Sequence, residues 1–468
     1  MDDEAPDSAH ASHSRRQNWL LLGGLLLIPL AFLIPVGAAE KAIVGLDPTK
    51  LHIGLGIFLC ICLLWMTEAL PLAATALLVP LLATLTGVLD MKAALAGFGD
   101  PLIFLFFGGF ALASAMAAQG IDQWIANSIV HRGKGNFHAI AWLLFGTTTF
   151  LSMWMSNTAT TALMIPLVLG IVAKLPPGEA AGRNAMYLLL GTAYASSVGG
   201  LGTVVGTPPN GIAARQLGID FTQWLRFGIP SMLVLLPLMV LALRIACRPV
   251  AVVMQLPEAE PFVMTSKRLA TLVTFACAGL LWISGEWIGE RFGIKGGTDT
   301  IVALLAVLAL VISRAVSWRQ IEHGTEWGVL LLFGGGLTLS TVLDKTGTSL
   351  FLARGIVDLV HGWPLVLVIA VSLLFVILLG EFTSNTATAA LMVPIFYSIG
   401  KELGVAPAKL VIPIAIASSC GFMLPVATPP NAIVFATGRI PQRVMMRAGI
   451  LLDLLCLVAV TLLAWLLF

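Results

Sequence analysis

Charge is scarce in this chain. Asp, Glu, Lys and Arg make up only 11% of its 468 residues, against 58% hydrophobic residues and a mean hydropathy of +0.96. A soluble globular protein carries roughly 25% charged residues, so the composition excludes a water-soluble fold and reads as an integral membrane protein. The net charge is +2, and no basic run or aromatic-basic patch points to nucleic acid. Catalytic constellations are missing too: there is no His-Glu-x-x-His, no Ser-Lys pair, no paired Asp, and His131, His138, His323 and His361 lack ligand spacing. An enzyme is not expected, and without Gly-x-x-x-x-Gly-Lys neither is a phosphate loop. Six cysteines (Cys60, Cys62, Cys247, Cys277, Cys420, Cys456) lie in or beside apolar stretches, so neither a disulfide framework nor a metal site is expected of them.

What the chain does have is a succession of apolar segments, with room for about ten or more spans of roughly 20 residues. The run 19–36 follows a polar tail bearing Arg15 and Arg16, and it reads as an uncleaved first span rather than a signal peptide. Further segments cover 51–70, 72–89, 101–126, 137–155, 157–174, 185–224 and 227–247. After a polar stretch at 248–268 come 269–289, 298–316, 327–350, 363–383, 385–403, 409–437 and 448–468.

The second half repeats the first. SNTATTALMIPL (Ser156 to Leu167) returns as SNTATAALMVPI (Ser384 to Ile395), identical at nine of twelve positions and 228 residues later. FFGGFALASAMAAQG (106–120) is echoed by FGGGLTLSTVLDKTG (333–347), and ASSVGGLGTVVGTPPN (195–210) by ASSCGFMLPVATPPN (417–431). Ordered matches in one register mark a duplicated unit. Each unit counts five full spans and a pair of short segments. That odd number forces the two copies into opposite orientations. The expected fold is an all-α polytopic membrane protein: about 11 transmembrane helices and two re-entrant hairpins, in two inverted-topology repeats. A cytoplasmic N-terminus places 15 of the 26 Lys and Arg residues inside, the direction that the positive-inside rule requires.

The repeated motifs carry the chemistry. Ser and Asn are preferred helix N-caps, so each Ser-Asn-Thr reads as a hairpin tip with a capped helix behind it. The open N–H groups of such a helix start make an anion site. In each Thr-Pro-Pro-Asn the two prolines supply no N–H, so carbonyls one turn upstream lose their helical partners, and the Thr before Pro is pushed to extended geometry. Freed carbonyls with Ser, Thr and Asn oxygens suit a hard cation such as sodium. Discontinuous helices at matching places in two halves predict a midplane site for substrate and coupling ion. Glu381, opposite Met153 of the first repeat, reads either as a cation-holding or titrating carboxylate or as a buried structural hydrogen bond. Glu68, Glu286 and Asp453 read as interfacial. Gly108-Gly109 and Gly334 to Gly336 read as places of close helix contact.

These paired motifs, with EWGVLLLFGGGL (326–337), resemble the divalent anion:sodium symporter family, which includes bacterial di- and tricarboxylate transporters. The similarity runs from about residue 50 to the end. It implies a homodimer in the lipid bilayer, multi-pass and in a bacterial inner membrane, in which a transport domain slides against a scaffold like an elevator. On this chain the parts fall at 1–18 (cytoplasmic tail), 19–130 (scaffold), 131–248 (transport), 249–268 (cytoplasmic linker), 269–360 (scaffold) and 361–468 (transport). By the same resemblance, Ser156, Asn157 and Thr158 with Ser384, Asn385 and Thr386 would grip the carboxylates of a dicarboxylate anion, and Thr207, Pro208, Thr428 and Pro429 would complete the pocket. One Na+ site would use Ser152, Ser156, Asn157 and the backbone at Gly206; the other would use Thr383, Asn385 and the backbone at Ala427. Gly380 stands where the first repeat has the hydroxyl of Ser152, which leaves the second site less well furnished. That departure keeps open a sodium-independent dicarboxylate exchanger of the same fold. Weaker alternatives are a sulfate transporter or an anion channel.

Overall fold

The computed structural model describes residues 5–36, 47–253, 262–294 and 297–466, and these fold as helices without a β-sheet. A bilayer leaves little choice, because backbone groups there must be satisfied within the segment. The first half runs α1 (Ala5–Leu30), α2 (Pro48–Thr67), α3 (Leu72–Leu85), α4 (Met91–Leu95), α5 (Pro101–Ala118) and α6 (Ile121–His131). Then follow α7 (Phe137–Ser152), α8 (Asn157–Val172), α9 (Glu179–Gly200), α10 (Pro208–Leu217) and α11 (Phe221–Cys247). The second half continues with α12 (Ser266–Ile283), α13 (Gly285–Phe292), α14 (Thr298–Ile312), α15 (Trp318–Gly324), α16 (Trp327–Lys345) and α17 (Thr348–Leu359). It closes with α18 (Leu365–Gly380), α19 (Asn385–Glu402), α20 (Ala408–Ser418), α21 (Pro429–Phe435) and α22 (Gln442–Leu466).

Among the described residues, six stretches are long and apolar enough to cross a membrane: Pro48–Thr67, Met91–Ala118, Phe221–Cys247, Ser266–Ile283, Trp327–Lys345 and Gln442–Leu466. On α12 the large apolar side chains Leu269, Val273, Leu280 and Ile283 are exposed, as a lipid-facing helix requires. The helices α7 and α8 have 16 residues each, a rise of about 24 Å that falls short of the roughly 30 Å hydrocarbon core. They are joined by Met153 to Ser156 and pack on each other.

Helix α1 starts at Ala5, well ahead of Trp19, and takes in most of the polar tail. Pro6 falls in its first turn, where the missing N–H costs nothing. The polar stretch after α11 is pinned at its start, where Asn184 Nδ2 donates to the Val250 carbonyl at 3.0 Å and Asn184 Oδ1 accepts from the Val250 N–H at 2.7 Å. The rest of the expected linker includes 254–261, outside the described residues, as is the side chain of Glu286.

The chain forms two compact units, each drawing on both halves of the sequence. Unit 1 comprises Met1–Asp100, Trp327–Trp363 and Thr386–Leu410. Its central contact is the Gly-Gly-Gly face of α16. A Cβ added at Gly335 would lie 2.6 Å from the Cβ and carbonyl oxygen of Ala76 on α3, and one at Gly334 would lie 2.4 Å from the Phe98 ring. Backbones approach here to a distance that only glycine permits.

Unit 2 comprises Pro101–Glu326, Pro364–Asn385 and Val411–Phe468. Its axis is α9, along which Leu188, Leu189, Leu190, Ala193, Tyr194, Ala195 and Val198 are fully buried. Around it pack α7, α8, α11 and α21. Corresponding helices start in step: α7 and α18 at Phe137 and Leu365, 228 residues apart, α10 and α21 at Pro208 and Pro429, and α11 and α22 at Phe221 and Gln442, both pairs 221 apart. Gly108 meets Ala303 of α14, where an added Cβ would lie 2.5 Å from the alanine Cβ.

Close packing of this kind makes a prediction. Gly335→Val should lower stability by about 2 kcal/mol or more through overpacking, read as a fall in melting temperature in detergent. Gly355→Ala on α17, where nothing lies within 4 Å, should leave the melting temperature unchanged or raise it.

Candidate functional site

The first Ser-Asn-Thr sits in unit 2 at the turn from α7 into α8. Ser156 is the N-cap of α8, with extended φ −61 and ψ 148, and its Oγ accepts from the Ala159 N–H at 3.3 Å. The same hydroxyl donates to Glu326 Oε1 in a short hydrogen bond. Asn157 and Thr158 follow as the first helical residues, all three half-buried. The tip is held by aromatic packing: Trp154 stacks on Phe221 and Trp282, with centroids 6.2 and 6.3 Å away, and meets Phe275 edge-on at 5.2 Å.

The first break lies between α9 and α10. Thr207 is extended (φ −149, ψ 142), the geometry forced by Pro208, and Pro208 opens α10. Carbonyls at the end of α9 and in the turn after it do not all stay free. Asn210 Nδ2 donates to Gly200 O at 2.9 Å, Leu201 O at 3.3 Å and Thr203 O at 2.7 Å, from a fully buried position. The second break, between α20 and α21, is closed in the same way, with Asn431 Nδ2 at 3.0 Å from both Gly421 O and Leu424 O. The side-chain oxygens of both Asn210 and Asn431 are buried without a partner.

Hairpin and break meet at Gly200. Ser152 Oγ lies 2.8 Å from Asn157 Oδ1 and 2.7 Å from Ser196 O. One hydroxyl hydrogen serves two acceptors there, which leaves an oxygen-rich spot. A Cβ placed on Gly200 would stand 2.4 Å from Asn157 Oδ1 and 3.1 Å from Gly206 O, so the glycine keeps open a cradle lined by neutral oxygens. Hard monovalent and alkaline-earth cations take such ligands. Of the residues singled out in the sequence, Ser152, Asn157 and Gly206 converge here, while the Ser156 side chain turns to its own helix and to Glu326.

In the second half the cradle is thinner. Ser384 and Asn385 are half-buried, Thr386 is buried, and Thr428 is buried with its hydroxyl 3.4 Å from the Asn431 N–H. Pro208 is half-buried whereas Pro429 is exposed. Thr383 donates its hydroxyl to Leu379 O at 3.0 Å. Asn385 Oδ1 is buried with no partner. At Gly380 there is no hydroxyl, and an added Cβ would reach no closer than 3.9 Å to Ser418 O. Across the repeats α21 packs on α8 and α9, so the helix after the second break lies against the helix behind the first hairpin.

Sequence reasoning missed three side chains. Asn210 and Asn431 were visible as the last letter of each Thr-Pro-Pro-Asn, yet their role as closures of the broken backbone needs the fold. Glu326 opens the quoted EWG stretch, but its pairing with Ser156 spans 170 residues. One expectation is corrected. Asp453 is not interfacial: α22 begins at Gln442, so Asp453 falls mid-helix and is only 6% exposed.

Apolar helices longer than a bilayer is thick, helices broken in mid-course and a neutral polar cradle at the breaks define a multi-pass membrane transporter, not an enzyme. The chain belongs to the citrate transporter family (CitMHS), whose pattern matches residues 62–400 and again 378–468. It is 47% identical to an uncharacterized transporter of Haemophilus influenzae over 418 residues, 88% of this chain and 90% of the relative. It is 34% identical to the sodium-dependent dicarboxylate transporter SdcS of Staphylococcus saprophyticus over 484 residues, 95% and 91% of the two chains. The fold is also similar to that of the YdaH transporter of Alcanivorax borkumensis, with a TM-score of 0.57, 16% identity and 97% of each chain covered.

Asn210→Ala should strand the Gly200 carbonyl and take one of two donors each from Leu201 O and Thr203 O, which keep Trp224 Nε1 and the Gly206 N–H, at a cost of about 1–3 kcal/mol. The expected outcome is a clear fall in melting temperature. Asn157→Ala, which strands no backbone group, should melt within a degree or two of the parent.

Proposed function

We propose that the protein is a secondary active transporter carrying a succinate-like C4-dicarboxylate, or a related di- or tricarboxylate, together with sodium ions. The observation that carries this reading is the cradle at Gly200: Asn157 Oδ1 and Gly206 O flank the glycine beside the N-terminus of α8, and Ser152 Oγ lies on Asn157 Oδ1. A cation held by neutral oxygens there would lower the cost of bringing an anion to the same helix end. Neither motif contains Lys or Arg, so the anion depends on helix N–H groups, hydroxyls and the bound cation. Cation first and anion second is the order this favours. The carboxylate of Glu326 on Ser156 supports the assignment, since it places a carboxylate at the capping hydroxyl of that helix. The sodium-dependent dicarboxylate transporter at 34% identity supports it independently.

In this reading Ser156, Asn157, Thr158, Ser384, Asn385 and Thr386 bind carboxylate, with Thr207, Pro208, Thr428 and Pro429 closing around it. Ser152, Ser156, Asn157 and Gly206 hold one sodium, and Thr383, Asn385 and Ala427 hold another. Two inverted repeats, about 11 spans with two re-entrant hairpins, a homodimer, an elevator motion and a cytoplasmic N-terminus belong to the same proposal and rest on the family resemblance and the duplicated sequence. A second reading, sodium-independent exchange, is favoured by one observation: Gly380 offers no hydroxyl where Ser152 does.

Radiolabelled succinate uptake into proteoliposomes decides between them. Symport predicts accumulation in empty vesicles driven by an inward sodium gradient, with saturable uptake lost in Asn157→Ala and Asn385→Ala. Uptake indifferent to sodium and confined to succinate-loaded vesicles would establish exchange. Normal uptake by both variants would overturn the site assignment.

A further inference from the structure

In unit 2, α11 and α22 pack together and leave a groove of about 550 Å³ along their seam. Ile245 from α11 and Met446, Ile450 and Leu454 from α22 line it, and all four are exposed although apolar. Arg443 and Arg447 line the end nearest the start of α22. Positions 443 and 447 are four apart, as are 446, 450 and 454, and the two sets are offset by three. Both therefore run along one face of the helix, arginines first and apolar side chains after.

The dimensions are those of one lipid leaflet. From Arg443 to Leu454 the helix rises about 16 Å, close to half of a hydrocarbon core of roughly 30 Å. With its 25 residues, α22 rises about 37 Å, more than the core requires, so its first turns reach the headgroup level. Arginine heads belong at that depth, with their stems against apolar surface.

Charge at this end is of one sign. Arg244, Arg248 and Arg439 are exposed there as well, and Arg447 lies within electrostatic reach of Cys247 at the end of α11. No Asp or Glu occurs between Gly228 and Val253 or between Gly421 and Leu452. Asp453, the next acid along α22, is buried and does not line the groove. Neither Arg443 nor Arg447 forms an ion pair with a described residue. Two guanidinium forks one turn apart suit the oxygens of a phosphate, and basic pockets between membrane helices suit anionic headgroups. A free phosphate or a small carboxylate would answer the arginines and leave the apolar wall bare. A phospholipid answers both.

We propose that this groove binds one anionic phospholipid, its phosphate held by Arg443 and Arg447 and an acyl chain lying along Met446, Ile450 and Leu454. The site shares no residue with the cradle at Gly200 and stands whether or not sodium drives uptake.

Native mass spectrometry of the delipidated full-length protein, titrated with phosphatidylglycerol or phosphatidylcholine, tests this. The parent should bind its first phosphatidylglycerol about tenfold or more tighter than phosphatidylcholine, the scale of charge-assisted hydrogen bonds. That preference should vanish in the Arg443→Gln, Arg447→Gln double variant. It should survive in Arg314→Gln, Arg319→Gln, which removes two exposed arginines of unit 2 outside the groove. Ile450→Trp, which fills the groove and spares both arginines, should weaken phosphatidylglycerol binding. Equal binding of the two lipids by the parent, a preference that outlasts Arg443 and Arg447, an equal loss in the control pair, or unchanged binding by Ile450→Trp would each overturn the proposal. Displacement of the lipid by millimolar inorganic phosphate would overturn it too, by making the ligand a free anion.

Discussion

A polypeptide inside a bilayer has no water to fall back on, and the second unit is organised around the two places where its helices give up their own hydrogen bonds. Each break leaves carbonyls beyond the reach of a helical N–H, and at each one asparagine amide, Asn210 or Asn431, reaches back across the gap. The answer is partial by construction. An amide nitrogen has two hydrogens, and the side-chain oxygens of both asparagines stay without donors. The break is closed firmly enough to persist and keeps unpaired oxygens, the feature on which the proposed cation site rests. Were the carbonyls fully satisfied, nothing there would bind; were none satisfied, the interruption would be too costly to keep.

The two halves use this device unequally. In the first, Ser152 completes an oxygen cluster with Asn157 and Ser196 O, and the neighbouring ground is held by Met153 and Met232. In the second, Gly380 offers no hydroxyl and Asn385 Oδ1 is left unpartnered.

Much of this was legible in the sequence. Membrane class follows from charge scarcity, and the caps and breaks follow from residue types with fixed backbone consequences: Ser156 does cap α8, Thr207 and Thr428 are extended, and α10 and α21 start at the first Pro of each pair. Glycine runs did mark close approach, at Ala76 and Ala303. What stayed hidden were contacts made over long separations. No local pattern ties Glu326 to Ser156, or Glu381 to Met423 and Leu424. Asp453 was misplaced for a related reason: hydropathy alone started its segment at 448, six residues late, which moved a mid-helix carboxylate to an apparent end.

Trp154 sets a limit on how the first hairpin can behave. Its ring is sandwiched among Phe221, Phe275 and Trp282, contributed by α11 and α12. Peeling the tip away would unstack several aromatic faces together, which is worth about 0.5–1.5 kcal/mol per pair beyond the buried area. An arm anchored this way works as a fixed jaw. Any motion that opens the proposed cradle at Gly200 has to leave that jaw closed on its own aromatic clasp.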